Sequence, residues 1–227
     1  MDTIRKTATI VGVLYIIGTV AGILSVIFTG PFLNDPDYLI KVSANEHQFV
    51  TGALFVLTMG FALAMVPVML YPILKKHNQA LALGYVVFRG ALETVTYIGV
   101  VIIWLFLLEV SREYVAPGTP DTSGLQTLGA VLLNGKDSMS SMTSIVFGLG
   151  ALMLYYVFYQ SKLIPRWIAG WGFIAIILHL ATGLLIMFHF QSPFSTINTV
   201  MNFPIFLQEM VMAVWLIVKG FNSAAVA

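Results

Sequence analysis

The chain has no cysteine and few charged residues. The absence of cysteine excludes a disulfide framework, a thiol nucleophile and an iron–sulfur site, and it leaves zinc only histidine and carboxylate ligands. Charged residues make up 9% of the 227 residues and hydrophobic residues 59%, whereas a soluble domain has roughly 25% charged residues. The formal net charge of +1 gives no reason to expect a nucleic-acid partner. These features exclude a water-soluble globular fold and indicate a helical membrane protein.

Six apolar runs are long enough to cross the roughly 30 Å hydrocarbon core of a bilayer. They cover residues 8–28, 49–74, 80–108, 138–160, 166–190 and 197–218. The first run follows Arg5 and Lys6, but it is too long for the apolar region of a signal peptide, so we expect an uncleaved span. The predicted fold class is all-α: a polytopic integral membrane bundle of six transmembrane helices, forming a single domain over residues 1–227.

Basic residues near the span ends predict the orientation, because lysine and arginine are retained on the cytoplasmic side during insertion. With six spans, one side carries Arg5, Lys6, Lys75, Lys76, Lys162, Arg166 and Lys219. The opposite side carries the acidic residues Asp35, Asp37, Glu46, Glu109, Glu113, Asp121 and Asp137, and the basic residues Lys41, Arg112 and Lys136. We therefore expect both termini in the cytoplasm, localisation in a bacterial inner membrane, and the lipid bilayer as a partner.

Two segments on the outer side have the signals of short interfacial helices. In the first, Asp35 can cap a helix that begins at Pro36, with a lipid-facing side formed by Tyr38, Leu39 and Val42. In the second, apolar residues at helical spacing precede a helix end at Asn134 and Gly135; they are Leu125, Leu128, Val131 and Leu132. Both segments are predicted to be interfacial connectors or lids over an outward-facing cavity.

Few ionisable residues lie inside the spans, where charged side chains are costly. They are Arg89, Glu93, His179 and Glu209. Arg89 and Glu93 are four residues apart on the third span, so both face one direction. Arg89 and Glu209 lie about 14 Å and about 15 Å from the cytoplasmic ends of their spans, which allows a bridge between the third and sixth spans. Asn202 lies on the same face as Glu209 and completes the candidate site.

The sequence leaves two interpretations of Arg89, Glu93 and Glu209 open. In the first, one cation and two carboxylates hold the third and sixth spans in register, as polar contacts commonly do between membrane helices. In the second, one arginine does not compensate two carboxylates, and the surplus carboxylate exchanges a proton or orients a polar ligand.

The histidines do not predict a haem or metal centre. Bis-histidine haem ligation needs two rings at matching depth, whereas His77 lies in a turn, His47 at the outer end of a span and His179 near mid-membrane. Glu46, His47 and His189 share the outer side and are weak candidates for a divalent metal. The chain has no H-E-x-x-H, G-x-S-x-G or phosphate-binding glycine loop, so we predict no catalytic residue and no cofactor.

Three segments resemble a bacterial family of multi-pass membrane proteins that is catalogued as a domain of unknown function (4386). They are LYPILKKHNQALALGYVVFRGALE from Leu70 to Glu93, YYVFYQSKLIPRWIAGWGF from Tyr155 to Phe173, and EMVMAVWLIVKGFN from Glu209 to Asn222. With the first span and the SANEHQF segment before the second, the similarity covers nearly the whole chain. The resemblance implies no activity, but it implies that five residues occupy motif positions: Arg89, Glu93, Ser161, Pro165 and Glu209.

The sequence favours a non-enzymatic role, in which the protein binds or moves a small ligand or a proton through a polar cavity near Glu93, His179 and Glu209. One alternative is a membrane-embedded enzyme that acts on a lipid or quinone with a Glu/His acid–base pair. Another is a structural or regulatory membrane partner without a ligand, in which the charged cluster only supports the fold. The sequence identifies no protein partner.

Overall fold

A computed structural model describes residues 3–118, 122–191 and 195–226, and it is helical almost throughout. The elements are α1 Thr3–Leu33, α2 Tyr38–Ala44, α3 Glu46–Leu74, α4 Gln79–Tyr85, a π-helical segment Val86–Leu92, α5 Glu93–Val115, α6 Thr122–Ser161, α7 Arg166–Met187, α8 Thr196–Val218 and α9 Ser223–Val226. No residue in these ranges forms a β-strand, so the all-α prediction is confirmed. Asp121, which belongs to the predicted acidic side, lies outside the described residues.

Within the described ranges, six helices are long and apolar enough to cross a membrane, which confirms the predicted multi-pass architecture. The third span is a run of 37 residues, Gln79–Val115, made of α4, the π-helical segment and α5. Several helices are longer than the apolar runs that predicted them. α1 continues to Leu33 and α5 to Val115, because a helix keeps its backbone hydrogen bonds beyond the end of its apolar stretch.

The six spans form a closed ring in chain order. Each span packs mainly against the span before it and the span after it, and the ring closes where α8 packs against α1. Small residues allow these close approaches: Gly12 of α1 lies against Ala213 of α8, while Gly18 and Gly22 of α1 face Leu63 and Met59 of α3. The centre of the ring is therefore bordered by all six spans.

The two chain ends lie at the same end of the bundle, which we call the terminus side. The Arg5 guanidinium donates hydrogen bonds to the carbonyl oxygens of Ile217 and Val218, at 2.6 and 2.9 Å. The Asn222 backbone N–H donates to the Leu163 carbonyl oxygen at 2.9 Å, which joins the segment after α8 to the turn between α6 and α7. The opposite end, which carries α2, is the loop side.

The second predicted interfacial helix is not a separate element, and the predicted helix end at Asn134 and Gly135 is wrong. α6 runs unbroken from Thr122 to Ser161, a length of about 60 Å, twice the hydrocarbon thickness. Tertiary packing overrides the helix-stop signal, because Leu125 and Leu132 pack against the same apolar cluster as α5. α6 is therefore longer than the hydrocarbon core requires, and its first part packs beside the end of α5.

The first predicted segment contains a short helix, α2, but this helix begins at Tyr38 with Asp37 at the N-cap instead of at Pro36 with Asp35 as the cap, and its predicted orientation is wrong. Leu39 and Val42 are buried against the rest of the protein instead of facing lipid, because α2 packs against α5 and Gly129 of α6 approaches Leu39. Asp35 accepts a hydrogen bond from the Asp37 backbone N–H and pairs with Lys41. The pKa of the Asp35 carboxyl is lowered, chiefly by its hydrogen bond with the Lys41 ammonium.

Two apolar clusters fill the bundle, one toward each side of the membrane. The terminus-side cluster draws residues from all six spans; among its large buried side chains are Leu70, Leu154, Phe158, Ile168 and Leu216. The described buried members of the loop-side cluster come from α1, α2, α3 and α5, with Phe49 and Trp104 in ring contact at 5.7 Å. Since α7 and α8 contribute nothing to that second cluster in the described ranges, they are packed less tightly toward the loop side.

Candidate functional site

The third span changes its helical pitch where its charged residues begin. Residues Val86–Leu92 form a π-helix, and the Glu93 backbone N–H bonds to the Phe88 carbonyl oxygen five residues earlier. Such segments are rare in helices and are frequent at functional sites. Gly150 of α6 lies against the backbone of Arg89, so the π-helical segment and α6 are in close contact at this point. The sequence pattern contains no signal that predicted this change of pitch.

Arg89 and Glu93 form a fully buried ion pair within the third span. The side chains are 3% and 1% exposed, and Arg89 Nη1 lies 2.8 Å from Glu93 Oε1 and 3.0 Å from Oε2. The Tyr97 hydroxyl also donates to Glu93 Oε1, at 2.9 Å. Glu93 therefore receives charge-assisted hydrogen bonds from two side chains on its own helix, each four residues away.

The same guanidinium reaches α8. Arg89 Nη2 donates to Glu209 Oε1 at 3.2 Å, which places the residues of the predicted bridge within hydrogen-bonding distance. On its other side, Arg89 stacks against Phe147 of α6, with 4.1 Å between the guanidinium carbon and the ring centroid. Glu209 is 15% exposed, and the bond from Arg89 is the one hydrogen bond that a described residue makes to it. Glu209 is thus held more loosely than Glu93.

His179 and Asn202 form a second polar group that connects α7 and α8. His179 Nδ1 lies 2.6 Å from Asn202 Oδ1, and Asn202 Nδ2 donates to Asn198 Oδ1 at 2.6 Å. Because the Asn202 amide nitrogen is engaged by Asn198, its oxygen accepts from His179, and the imidazole proton lies on Nδ1. Nε2 is then a hydrogen-bond acceptor, and it is buried with no partner among the described residues.

Both polar groups contact one aromatic ring. The Arg89 guanidinium lies over the Phe147 ring, and the His179 ring packs against Phe147 at 4.9 Å between centroids in an edge-to-face arrangement. The structure therefore brings together Arg89, Glu93 and Glu209 as one cluster, and His179 and Asn202 as a neighbouring pair.

Three buried polar contacts beside this cluster were not predicted from the sequence. The Tyr155 hydroxyl donates to Gln208 Oε1 at 2.7 Å, and Gln208 Nε2 donates to the Ile168 carbonyl oxygen at 3.1 Å. The Tyr15 and Tyr85 hydroxyl oxygens are 3.2 Å apart. A signal for Gln208 was available, since it is a polar residue inside an apolar span and precedes Glu209. These contacts join α1, α4, α6, α7 and α8 near the charged cluster.

A cavity of about 500 Å³ lies in the ring, between the two apolar clusters. Its wall is mostly aliphatic and aromatic, and its polar lining residues are Thr19, Arg89, Tyr97, Thr143, Ser144, His179, Asn202 and Glu209. The cavity therefore contacts both the charged cluster and the His179–Asn202 pair. Small-molecule sites in proteins have this size and this mostly apolar character, with a few placed polar groups.

The cavity opens toward the lipid between α1 and α8. Its lining includes Val26 and Ile27 of α1 and Phe206 of α8, all of which are exposed on the outside of the bundle, Val26 by 62%. The two helices are joined near the terminus side, where Gly12 contacts Ala213. Toward the loop side, α8 lacks the loop-side cluster as a support, so a gap remains between it and α1. The exposed lining residues place this opening on the outside of the bundle.

The weak metal candidates are placed apart from the cavity. Glu46 accepts two hydrogen bonds from Arg112, at 2.9 and 2.7 Å. His189 lines a separate polar depression with Asp137 on the loop side, and His47 is exposed on α3. Among the described residues, no three His, Cys, Asp or Glu side chains come together in a group that could hold a metal ion.

The chemistry that this site offers is hydrogen bonding and charge compensation. If all three charged groups are ionised, one guanidinium faces two carboxylates, and the cluster carries one surplus negative charge. Glu93 accepts hydrogen bonds from both Arg89 and Tyr97, whereas Glu209 accepts one from Arg89. We therefore assign the surplus negative charge to Glu209, which lines the cavity. A proton or a cationic ligand can neutralise that carboxylate.

Comparison with known proteins identifies a family and nothing more specific. No curated protein and no solved structure matches the chain. Residues 10–220 match the family described as a domain of unknown function, DUF4386. This range contains Arg89, Glu93, His179, Asn202 and Glu209, and it covers well over half of the chain. The protein therefore belongs to the DUF4386 family, as the resemblance of its three segments predicted.

Proposed function

We propose that the protein binds a small lipophilic molecule with a cationic, hydrogen-bond-donating group, and that this group pairs with Glu209 inside the membrane. The observation that carries this proposal is the juxtaposition of a 500 Å³ apolar cavity with a carboxylate that its single arginine partner does not neutralise. An aliphatic or aromatic body occupies the cavity, and the ligand reaches it from the bilayer between α1 and α8.

The unmet polar groups support this ligand class. Glu209 lines the cavity with one carboxylate oxygen bonded to Arg89, and the second oxygen is free to accept. His179 also lines the cavity and has an unpartnered acceptor nitrogen. Both groups require a donor, and a lipophilic amine or ammonium compound supplies donors and a positive charge together. A proton on Glu209 competes with the cation for the same carboxylate, so binding releases a proton.

A structural role is the second candidate, and the geometry of Glu93 favours it for part of the cluster. Arg89 and Glu93 are almost fully buried, one guanidinium nitrogen contacts both carboxylate oxygens, and the pair is confined to one helix. The Arg89 and Glu93 charges compensate each other without a ligand, whereas the Glu209 carboxylate lines the cavity. We therefore divide the roles: the Arg89–Glu93 pair supports the fold, and Glu209 binds the ligand.

An enzymatic role on a lipid or quinone would require Glu209 and His179 to act on one reacting atom. Such a reaction needs an acid, a base and an electrophile that converge on a common point. Phe147 contacts both Arg89 and His179, and no described hydrogen bond joins His179 to Glu209. Binding without chemical change is therefore the function that the site supports best.

Three compounds of one shape but different charge test the proposal: 1-aminoadamantane, 1-adamantanol and adamantane-1-carboxylate. Calorimetric titration of the purified protein in nanodiscs is expected to show binding of the amine, weaker binding of the alcohol and none of the carboxylate. Binding of the amine is expected to strengthen with rising pH, because proton competition for Glu209 declines while the amine stays protonated.

Glu209→Gln is expected to weaken binding of the amine at least about tenfold, as the loss of a charged partner does. Glu109→Gln is the matched control, because Glu109 is an exposed glutamate that pairs with Arg112 on the loop side. Equal binding of all three compounds, no binding of the amine, or an undiminished affinity in Glu209→Gln would each overturn the proposal.

We also infer that the terminus side faces the cytoplasm and that the protein resides in the cell membrane of a bacterium. The terminus side carries the lysine and arginine residues that bracket the spans, including Arg5, Lys162 and Lys219, whereas most acidic residues are on the loop side. This distribution is the support for the orientation.

A further inference from the structure

Two clefts on the outside of α8 meet at the terminus side. The first, of about 450 Å³, lies between the α6–α7 turn and the end of α8. The second, of about 420 Å³, is a shallow groove along the α8 surface. Trp215 and Lys219 line both clefts, so the two are adjacent. Neither cleft shares a lining residue with the central cavity.

The first cleft is basic. Lys162, Arg166 and Lys219 line it, all three are exposed, and its described lining contains no acidic residue. Local contacts fix the backbone of Lys162 and the guanidinium of Arg166. Lys162 adopts φ 57°, and its carbonyl oxygen accepts a hydrogen bond from Asn222 Nδ2 at 3.4 Å. The Arg166 guanidinium lies 5.2 Å from the centroid of the Tyr159 ring and donates to the Tyr159 carbonyl oxygen at 3.3 Å.

The second cleft is apolar and lies along the lipid-facing side of α8. Met210, Val214 and Val218 are four residues apart, so they form one stripe parallel to the helix axis, and Val211 and Trp215 form its neighbour. Val214 and Val218 are exposed. Toward the terminus side, this stripe ends at Lys219, which also lines the basic cleft. A molecule that occupies both clefts therefore has an acyl-like body along the membrane normal and a negatively charged end at the membrane surface.

We propose that these clefts form a binding site for a phospholipid with a net negative headgroup. The headgroup phosphate lies among Lys162, Arg166 and Lys219, and one acyl chain lies along the stripe from Met210 to Val218. Trp215, at the junction, lies at the level of the glycerol backbone, where tryptophan is favoured. Charge complementarity identifies the occupant, because basic pockets at the membrane surface bind anionic headgroups and a zwitterionic lipid gains little there. This site does not depend on the proposed function of the central cavity.

Tryptophan quenching by brominated lipids tests the proposal with the full-length protein in nanodiscs. Dibrominated phosphatidylglycerol is expected to quench the protein's tryptophan fluorescence more strongly than dibrominated phosphatidylcholine at equal mole fraction. Trp215→Phe is expected to abolish this difference. Trp167→Phe is the matched control and is expected to retain it, since Trp167 is an exposed tryptophan near the same surface that lines neither cleft.

Removal of the positive charges separates a specific site from general surface attraction. The preference for phosphatidylglycerol is expected to fall about fivefold for each lysine replaced in Lys162→Gln and Lys219→Gln, and to be retained in the two corresponding arginine variants. The control combines Lys75→Gln with Lys76→Gln. It removes two positive charges, as Lys162→Gln and Lys219→Gln do together, from residues on the same side of the membrane that line neither cleft. Equal quenching by the two lipids, or an equal loss in the Lys75 and Lys76 variant, would overturn the proposal.

Discussion

Arg89 lies in the middle of an apolar bundle, where each of its two terminal guanidinium nitrogens has a carboxylate partner. Glu93 accepts hydrogen bonds from Nη1, Glu209 accepts one from Nη2, and the Phe147 ring covers one face of the guanidinium plane. The partners differ in burial: Glu93 is 1% exposed and Glu209 15%. Replacement of Glu93 disrupts three hydrogen bonds from Arg89 and Tyr97 at a fully buried site, whereas replacement of Glu209 disrupts one hydrogen bond at a partly exposed site.

The two carboxylates are therefore expected to respond differently to neutralisation. Glu93→Gln should lower the free energy of unfolding by about 3 kcal/mol or more, and Glu209→Gln by about 1 kcal/mol. Thermal unfolding in mild detergent measures both changes when the folded fraction at each temperature is determined by size-exclusion chromatography. A Glu209→Gln protein that unfolds as readily as Glu93→Gln would show that both carboxylates support the fold and that neither is reserved for a ligand.

The residues of this cluster differ in how far a sequence can reveal them. Arg89, Glu93 and Glu209 are conspicuous because a charge inside an apolar span needs an explanation. Tyr97 carried a usable signal, since it follows Glu93 by four residues on the same helix. Phe147 carried none, because one phenylalanine in an apolar helix does not differ from its neighbours until the fold brings Arg89 against it.

Among the elements, the π-helical segment and α6 depend on each other. A seven-residue π-helix widens the third span at Arg89, and the absence of a side chain at Gly150 leaves room for it. A Cβ atom at Gly150 would lie 3.1 Å from the Arg89 backbone nitrogen and 3.2 Å from its Cβ. These contacts are tighter than van der Waals distances and involve backbone, which cannot shift freely.

Two glycines of α6 provide a matched pair of substitutions. Gly150→Ala is expected to destabilise the protein by about 1–3 kcal/mol through overpacking against Arg89. Gly135→Ala should be neutral or stabilising by up to about 1 kcal/mol, because its nearest neighbour would be Ile103 Cδ1 at 3.9 Å and alanine favours the helix. Melting temperatures of the two variants in the same detergent test this prediction, and a stable Gly150→Ala protein would contradict it.

The number of spans could be predicted from the sequence, but the course of α2, α5 and α6 on the loop side could not. Hydropathy predicts a span because the bilayer acts on each helix separately. Outside the hydrocarbon, helix boundaries depend on partners: α6 continues through Asn134 because α5 supports it, and Leu39 turns inward because α2 packs on α5. A local helix-stop signal does not contain this information.

At the scale of the whole molecule, the ring of spans explains why a site can exist at all. Six helices in chain order surround one cavity, with α8 closing the ring against α1 on the terminus side. The part of α8 toward the loop side lies outside the main loop-side cluster, which leaves the lateral opening. The bundle is thus closed between α1 and α8 on the terminus side and open between these two helices toward the loop side.

The absence of cysteine makes the inferred orientation directly measurable. Thr127→Cys places one thiol on the exposed first part of α6, and His77→Cys places one in the turn on the terminus side. A maleimide that does not cross the cytoplasmic membrane should label Thr127→Cys in intact bacteria, and His77→Cys only after the membrane is permeabilised. The cysteine-free parent is the blank, and the reverse labelling pattern would contradict the orientation.

The position of Glu93, four residues after Arg89, has a consequence for synthesis. The third span leaves the ribosome long before α8, so Arg89 must enter the bilayer before Glu209 exists. Glu93 follows within one helical turn and pairs with it, so the arginine inserts as part of a neutral unit. Glu209 follows later, on the helix that closes the ring, so the cavity acquires its second, partly exposed carboxylate only after that helix is made.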